Sequence, residues 1–239
     1  TTERQIARLK DELVSTVSHE LRTPLTAIAG ALGLITAGAA GETSPKVARH
    51  ATAPSRTTGR PTGLVNVLLD MDKLQSGRMS FSFKDEDIGK LLADATEQNE
   101  PFAERHGVSL KLDVPGTPVV ALVDAARLNQ VISNLLSNAC KFSPAGSTVG
   151  MTLEVTDNCA VIRVADEGPG IGAEFRHRLF SRFAQEEGTH QAGHIGTGLG
   201  LAISHAIVDA HQGTIMLDET YSEGAAFEIR LPLALGGNN

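Results

Sequence analysis

Tryptophan is missing from this 239-residue chain, tyrosine occurs once, and aromatic residues make up only 4% of it. Cysteine is nearly absent as well. Cys140 and Cys159 are too few for the disulfide framework of a small secreted protein, so a reduced, cytoplasmic setting is expected. Long apolar runs are lacking: none approaches the roughly 18–20 residues that a bilayer-spanning helix needs, and the first residues carry no secretory pattern. Positive charge is in deficit, with 21 Lys and Arg against 28 Asp and Glu for a formal charge of −7. That balance excludes a broad polyanion-binding surface, and with it a general nucleic-acid partner, while leaving room for a local basic site. What is present is globular in composition, 41% hydrophobic against 21% charged, in a length that holds one or two domains. Glycine is in excess: the 24 glycines are about 10% of the chain, against a usual value of about 7%.

Hydrophobic spacing divides the chain near residue 78. Over residues 3–37, Ile6, Leu9, Leu13, Val17, Leu21, Leu25, Ile28, Leu32 and Ile35 recur mostly three or four apart, which predicts one long helix with a narrow apolar stripe. Such a stripe needs a partner helix, in a hairpin or a dimeric bundle. A turn at 38–44 leads through Pro45 to a second helical stretch at Leu64–Leu74. Between them, His50–Gly63 has no large aliphatic or aromatic residue but contains Pro54, Gly59, Pro61 and Gly63. This composition fits either a flexible loop or an interrupted helix, since an interior proline costs about 3 kcal/mol. From Met79 onward the pattern is mixed. Met79–Phe83 (MSFSF) alternates like a strand, Ile88–Arg105 is helical, and Val108–Val114 and Val119–Val123 are strand-like. Asp124 is placed to cap a helix reaching Phe142, with Val131, Leu135 and Phe142 on its buried side. Strand pairs are expected at 148–156 with 160–165 and at 214–219 with 225–233, forming one sheet with helices against it.

His19 faces away from the apolar stripe of the first helix, about 200° from its centre near Val17 at 100° per residue. A surface histidine on a helix often has no role. An exposed imidazole is nevertheless largely unprotonated at neutral pH, and with the Glu20 carboxylate to take or orient the ring proton it becomes a nucleophile. Thr23 lies one turn on, and Pro24 can bend the helix there. The full string Ser18-His19-Glu20-Leu21-Arg22-Thr23-Pro24-Leu25 resembles the phosphoacceptor box of bacterial two-component sensor histidine kinases.

Eight of the 24 glycines lie between Asp166 and Gly200. Asp166-Glu167-Gly168-Pro169-Gly170-Ile171-Gly172 follows a predicted strand. A carboxylate at a strand end can accept a hydrogen bond from an exocyclic amine such as that of adenine, and the glycines let backbone approach a base and sugar; read by itself, the string also fits an ordinary strand-to-turn junction. Gly196-Thr197-Gly198-Leu199-Gly200-Leu201 opens a predicted helix, Leu199–His211, whose free N–H groups and dipole suit a phosphate chain. It is neither a Walker loop, lacking G-K-[ST], nor a Rossmann fingerprint, lacking a strand that leads directly into it. Asn134 and Asn138 sit one helical turn apart with Lys141 on nearly the same side; they read either as polar helix surface or as amide oxygens and an ammonium serving Mg²⁺ and phosphate.

Together, Asn134–Phe142 (NLLSNACKF), the Asp166 run, Phe180-Ser181-Arg182-Phe183 and the Gly196 run resemble, in order, the N, G1, F and G2 boxes of the same kinase family. The resemblance implies an α+β chain: a helical-hairpin dimerisation and histidine phosphotransfer domain at 1–78, then an α/β sandwich of Bergerat type binding ATP at 79–239. It implies His19 as the phosphorylated residue, Glu20 as its acid–base partner, Thr23 orienting water for dephosphorylation of a response regulator, and Arg182 stabilising the transferred phosphoryl. Asn138 would be the Mg²⁺ ligand, Asp166 the adenine acceptor, and Asn134 and Lys141 the residues near the phosphates. Gly168, Gly170, Gly196, Thr197, Gly198, Leu199 and Gly200 would line the nucleotide. Gln185–Ile195 would be a mobile lid, in which His190 and His194 read as solvated surface. The implied partners are a response-regulator receiver domain and a second copy of the chain. The implied location is the cytoplasm, alone or as the cytoplasmic part of a longer, membrane-bound sensor. His50–Gly63 departs from the family's amphipathic helix, which bears on dimerisation and not on the ATP motifs. Two rival readings follow: an ATPase or serine kinase of the same superfamily, or a nucleotide-binding dimerisation module with impaired kinase activity.

Overall fold

The structure is a computed structural model that describes residues 70, 73, 79–185 and 198–233. The chain divides into two units, Thr1–Ser76 and Gly77–Asn239. In the first, Asp70 and Lys73 are helical; the remainder of the expected helices, the phosphoacceptor box and the stretch 50–63 lie outside the described residues.

The second unit is built on a five-stranded sheet. Its strands are β2 (Ser109–Asp113), β4 (Thr148–Thr156), β5 (Cys159–Ala165), β6 (Thr214–Leu217) and β7 (Ala226–Pro232), in the order β2-β4-β5-β7-β6. The β2–β4 pair is parallel and the other pairs are antiparallel. Register explains the core: Ile162 lies opposite Leu153 and Ile229, and Val164 opposite Met151 and Phe227, so every second residue of each strand points to one buried face. The alternating positions carry charge, as at Arg163, Glu228 and Arg230.

Three helices cover the buried face: α1 (Ile88–His106), α2 (Ala125–Phe142) and α4 (Gly200–Ala210), while α3 (Ala173–Arg176) is a single short turn. Both long helices begin on an aspartate. The Asp87 carboxylate accepts from Gly89 N at 3.0 Å, and that of Asp124 accepts from Arg127 N at 3.1 Å, each satisfying one of the free N–H groups of a helix start. Leu128, Val131, Ile132, Leu135, Leu136, Ala139 and Cys140 form the buried stripe of α2. This two-layer arrangement is the expected α/β sandwich.

Three local expectations are corrected. Met79–Phe83 is not a strand: the rings of Phe81 and Phe83 stack at 5.6 Å and both meet the edge of His211, at 5.8 and 5.0 Å, so the alternation serves packing and not pairing. The strand begins only at Lys84, just past that stretch, as β1 (Lys84–Asp87), and pairs antiparallel with β3 (Val120–Val123). These two strands form a second, two-stranded sheet, so the unit has two sheets among its described residues where one was expected. Phe142, expected on the buried side of α2, is 38% exposed because the helix ends there and Ser143 turns away in extended geometry.

Candidate nucleotide site

Strand β5, the central strand of the sheet, ends at Ala165, which places Asp166 just past its end and beside the start of β7. Its backbone continues the pairing, Asp166 N donating to Ala225 O at 2.9 Å. Its side chain is buried, 6% exposed. Oδ1 accepts from Gly168 N at 2.9 Å and from Ala225 N at 3.0 Å, and neither bond uses Oδ2. Burial pushes the carboxyl pKa above its ordinary value, and the two N–H donors from Ala225 and Gly168 offset that only in part. The result is an oriented acceptor with one oxygen immobilised and the other uncommitted, suited to an exocyclic amine.

The glycines around it are there for approach. A Cβ at Gly168 would lie 2.9 Å from both Asp166 Oδ1 and the Phe142 carbonyl oxygen, and Gly170 has φ +74° with the Gly224 carbonyl oxygen 3.1 Å from any Cβ. Arg176 ties this turn down, its Nε donating to Ile171 O at 3.1 Å.

The second glycine run meets two other motifs. Gly198 has φ +66°, and a Cβ there would fall 2.7 Å from the Phe183 carbonyl carbon and 2.8 Å from Ala184 O. Phe183 itself has φ +57°, so the two segments lie backbone against backbone. Phe180 is fixed by aromatic contacts, 5.4 Å to His205 on α4 and 6.4 Å to Phe227 on β7, which sets Arg182 as an exposed side chain on an anchored turn. Gly200 sits against α2: a Cβ there would collide with the Asn134 amide oxygen, while Asn134 Nδ2 donates to Ser204 Oγ at 3.0 Å. The start of α4 has Leu199 as its N-cap with no side-chain cap bond; a helix start of this kind can present backbone N–H groups to a phosphate.

The structure therefore brings Asp166 together with Gly168 and Gly170, Asn134 with Gly200, and Gly198 with the Phe183 turn. Leu199 is 1% exposed, so its side chain belongs to the core and only its backbone can serve a nucleotide. Asn138 and Lys141 are half-buried along the same flank of α2 as Asn134. The Asn134 amide donates to Ser204 and its oxygen lies against Gly200, while the amide oxygen of Asn138 is of the donor type that Mg²⁺ takes. Among the described residues no group of three His, Cys, Asp or Glu could hold a metal by itself. Cys140, in the middle of this stretch, is a core residue, and burial pushes its thiol up to about 11. His19, Glu20, Thr23, Gly196, Thr197, His190 and His194 lie outside the described residues, as does most of the expected lid. Sequence reasoning missed Ser204, Gly224 and Ala225. Gly224 and Ala225 stand outside the glycine-rich runs, and the β5–β7 register is what carries them to Asp166.

Comparison with known proteins agrees with this geometry. Residues 9–77 match the His Kinase A (phospho-acceptor) domain, and residues 123–235 match the family of histidine kinase-, DNA gyrase B- and HSP90-like ATPases. The sensor histidine kinase TmoS of Ectopseudomonas mendocina is 34% identical over 231 residues, covering 96% of this chain and 24% of TmoS. The circadian input-output histidine kinase CikA of Thermosynechococcus vestitus is 34% identical over 227 residues, 94% of this chain and 31% of CikA. Among solved structures, full-length ShkA in complex with AMPPNP superposes with a TM-score of 0.68 at 31% identity, over 93% of this chain and 46% of ShkA. The chain thus spans about a quarter to a third of the two curated relatives. Among the described residues no helix is long and apolar enough to cross a membrane. An immobilised carboxylate at the end of β5, an uncapped helix start at α4 and a phosphoacceptor match upstream converge on one assignment: the chain belongs to the two-component sensor histidine kinases and corresponds to their catalytic core.

Proposed function

We propose that this core autophosphorylates His19 from ATP and passes the phosphoryl group to an aspartate on a response-regulator receiver domain. The observation that carries the nucleotide half is Asp166, held through Oδ1 by two backbone N–H groups with Oδ2 left for the adenine amine. The start of α4, which lies against Asn134 of α2, would receive the phosphates on its backbone N–H groups. Asn138 would hold Mg²⁺, which when bound offsets phosphate charge; Asn134 and Lys141 lie near the same phosphates.

In the transfer, a ring nitrogen of His19 attacks the γ-phosphorus in line. The N–P bond forms, the bond to the β-phosphate oxygen breaks, and ADP departs. Glu20 takes the ring proton, and Arg182 balances charge on the phosphoryl as it moves. Thr23 orients water in the reverse sense, when phosphoryl is removed from the regulator. The chain acts as a homodimer through its amino-terminal region, 1–78, with 79–239 as the catalytic domain.

The decisive experiment is incubation of the full chain with γ-labelled ATP. Expected is an acid-labile, base-stable label on the wild-type chain and none on His19→Gln. Label that persists in His19→Gln, or that resists acid, overturns the assignment and favours a serine kinase of the same superfamily.

A further inference from the structure

The loop between β6 and β7, residues 218–225, is the closest neighbour of Asp166 that contributes no side chain to it. Gly224 lies so near that a Cβ would collide with the Asp166 carbonyl oxygen and stand 2.7 Å from both its carbonyl carbon and Oδ1. The Ala225 carbonyl accepts from Asp166 N at 2.9 Å, and its N–H donates to Oδ1 at 3.0 Å. The far end of the loop is fastened independently. Asp218 accepts from Thr220 N at 2.9 Å and from Arg163 Nη2 at 2.7 Å, and the Arg163 guanidinium stacks 4.9 Å over the Tyr221 ring. Glu219 pairs with Arg176 at 3.5 Å, and the same Arg176 holds Ile171 O in the turn that follows Asp166. The loop and the turn are therefore clasped at both ends, with the carboxylate between them.

We infer that the β6–β7 loop is a positioning strap for nucleobase selection: the bare Cα of Gly224 and the N–H of Ala225 aim Asp166 so that this chain takes adenine nucleotides and rejects guanine nucleotides. The inference rests on Asp166 being the adenine acceptor. The chemistry is specific. Adenine presents an amine donor at C6, whereas guanine presents a carbonyl there, so a correctly aimed carboxylate attracts one and repels the other. A carboxylate turned aside by a methyl group at position 224 loses both effects together. Gly224 and Ala225 act through Asp166 and are positioning residues.

The test measures ATP and GTP binding by calorimetry on the full chain, comparing wild type, Asp166→Asn and Gly224→Ala. For Gly224→Ala, ATP affinity is expected to fall at least about tenfold and the ATP-to-GTP affinity ratio to fall toward one. The pH at which ATP binding is lost on acidification should also move upward, because the displaced carboxylate loses N–H donors that favour its charged form. A purely structural role would move neither the ratio nor that midpoint. If Gly224→Ala keeps the wild-type ratio while Asp166→Asn abolishes it, the strap is overturned and the adenine reading stands. If Asp166→Asn itself keeps the ratio, the adenine reading fails. Should Gly224→Ala not fold, replacing Ala225 by lactic acid through ligation of the carboxy-terminal segment removes only the N–H donor. A ratio unchanged in that protein overturns the strap, and a ratio reduced several-fold supports it.

Discussion

Asp124 and Asp166 are both buried aspartates in the same unit, 8% and 6% exposed, yet they are held to opposite purposes. At Asp124 both oxygens are used: Oδ1 accepts from Arg127 N at 3.1 Å and Oδ2 from Ser82 N at 2.8 Å. Its own N–H donates to His211 Nε2 at 3.0 Å, and His211 Nδ1 bonds Ile207 O at 2.7 Å, which assigns the neutral ring with its proton on Nδ1. Burial works against the Asp124 charge, but the N–H donors of Ser82, Arg127 and Ala126 outweigh it and hold the carboxyl below the usual range. At Asp166 the donors crowd onto one oxygen, burial prevails, and the carboxyl stands above that range. A carboxylate whose oxygens are both occupied is a joint; one with an oxygen in reserve is a receptor.

The sharpest way to break that contrast is Asp166→Asn. Losing a charge-assisted bond worth about 1.5–3 kcal/mol should weaken ATP binding by about 10- to 100-fold, with little change in the denaturant midpoint, since a buried charge is removed as well. A stability loss with intact binding would reverse the roles assigned to the two aspartates. His211→Leu tests the other side. It keeps the volume but leaves the Asp124 N–H buried without an acceptor, so urea unfolding should show a loss of about 1–3 kcal/mol while ATP affinity stays within about twofold.

Acidification should separate the two carboxylates without mutation. Because the folded pKa of Asp166 is raised, its charged form, and ATP affinity with it, is lost on the acid side at a higher pH than an ordinary carboxyl would give. Because the folded pKa of Asp124 is lowered, its stabilising contribution is complete above its unfolded value near 4 and is lost only as pH falls through the lower, folded value. Binding should therefore fail before folding does, as a parallel titration by calorimetry and circular dichroism would show; simultaneous loss contradicts it. The smallest effect is expected at Arg163→Ala. The Arg163–Asp218 pair is partly exposed, at 32% and 23%, so solvent screens it and its loss should move the thermal unfolding midpoint only slightly.

The helix start at Asp124 was legible because a capping residue and a 3.6-residue apolar stripe act locally and point the same way. The nucleotide motifs were legible for a different reason: four short strings in a fixed order are far more informative than any one. What escaped was whatever depended on register between distant strands. Gly224 reads as one glycine in a turn until β7 is laid beside β5. The KDED of β1 is a poor strand by composition and becomes one because the VALV of β3 lies against it. The alternation of Met79–Phe83 has the right period, but its phenylalanines are claimed by the His211 ring. Phe142 was misjudged because the spacing rule carries no information about where a helix end lifts a side chain into solvent.

The close approach of Phe183 and Gly198 makes the join between their two segments sensitive to a single carbon. Both residues hold a positive φ, and a methyl group at Gly198 would press on the Phe183 backbone and on the Ala184 carbonyl oxygen. Gly198→Ala therefore has to push the Phe183 turn and the approach to Gly200 apart, a steric lever on the start of α4.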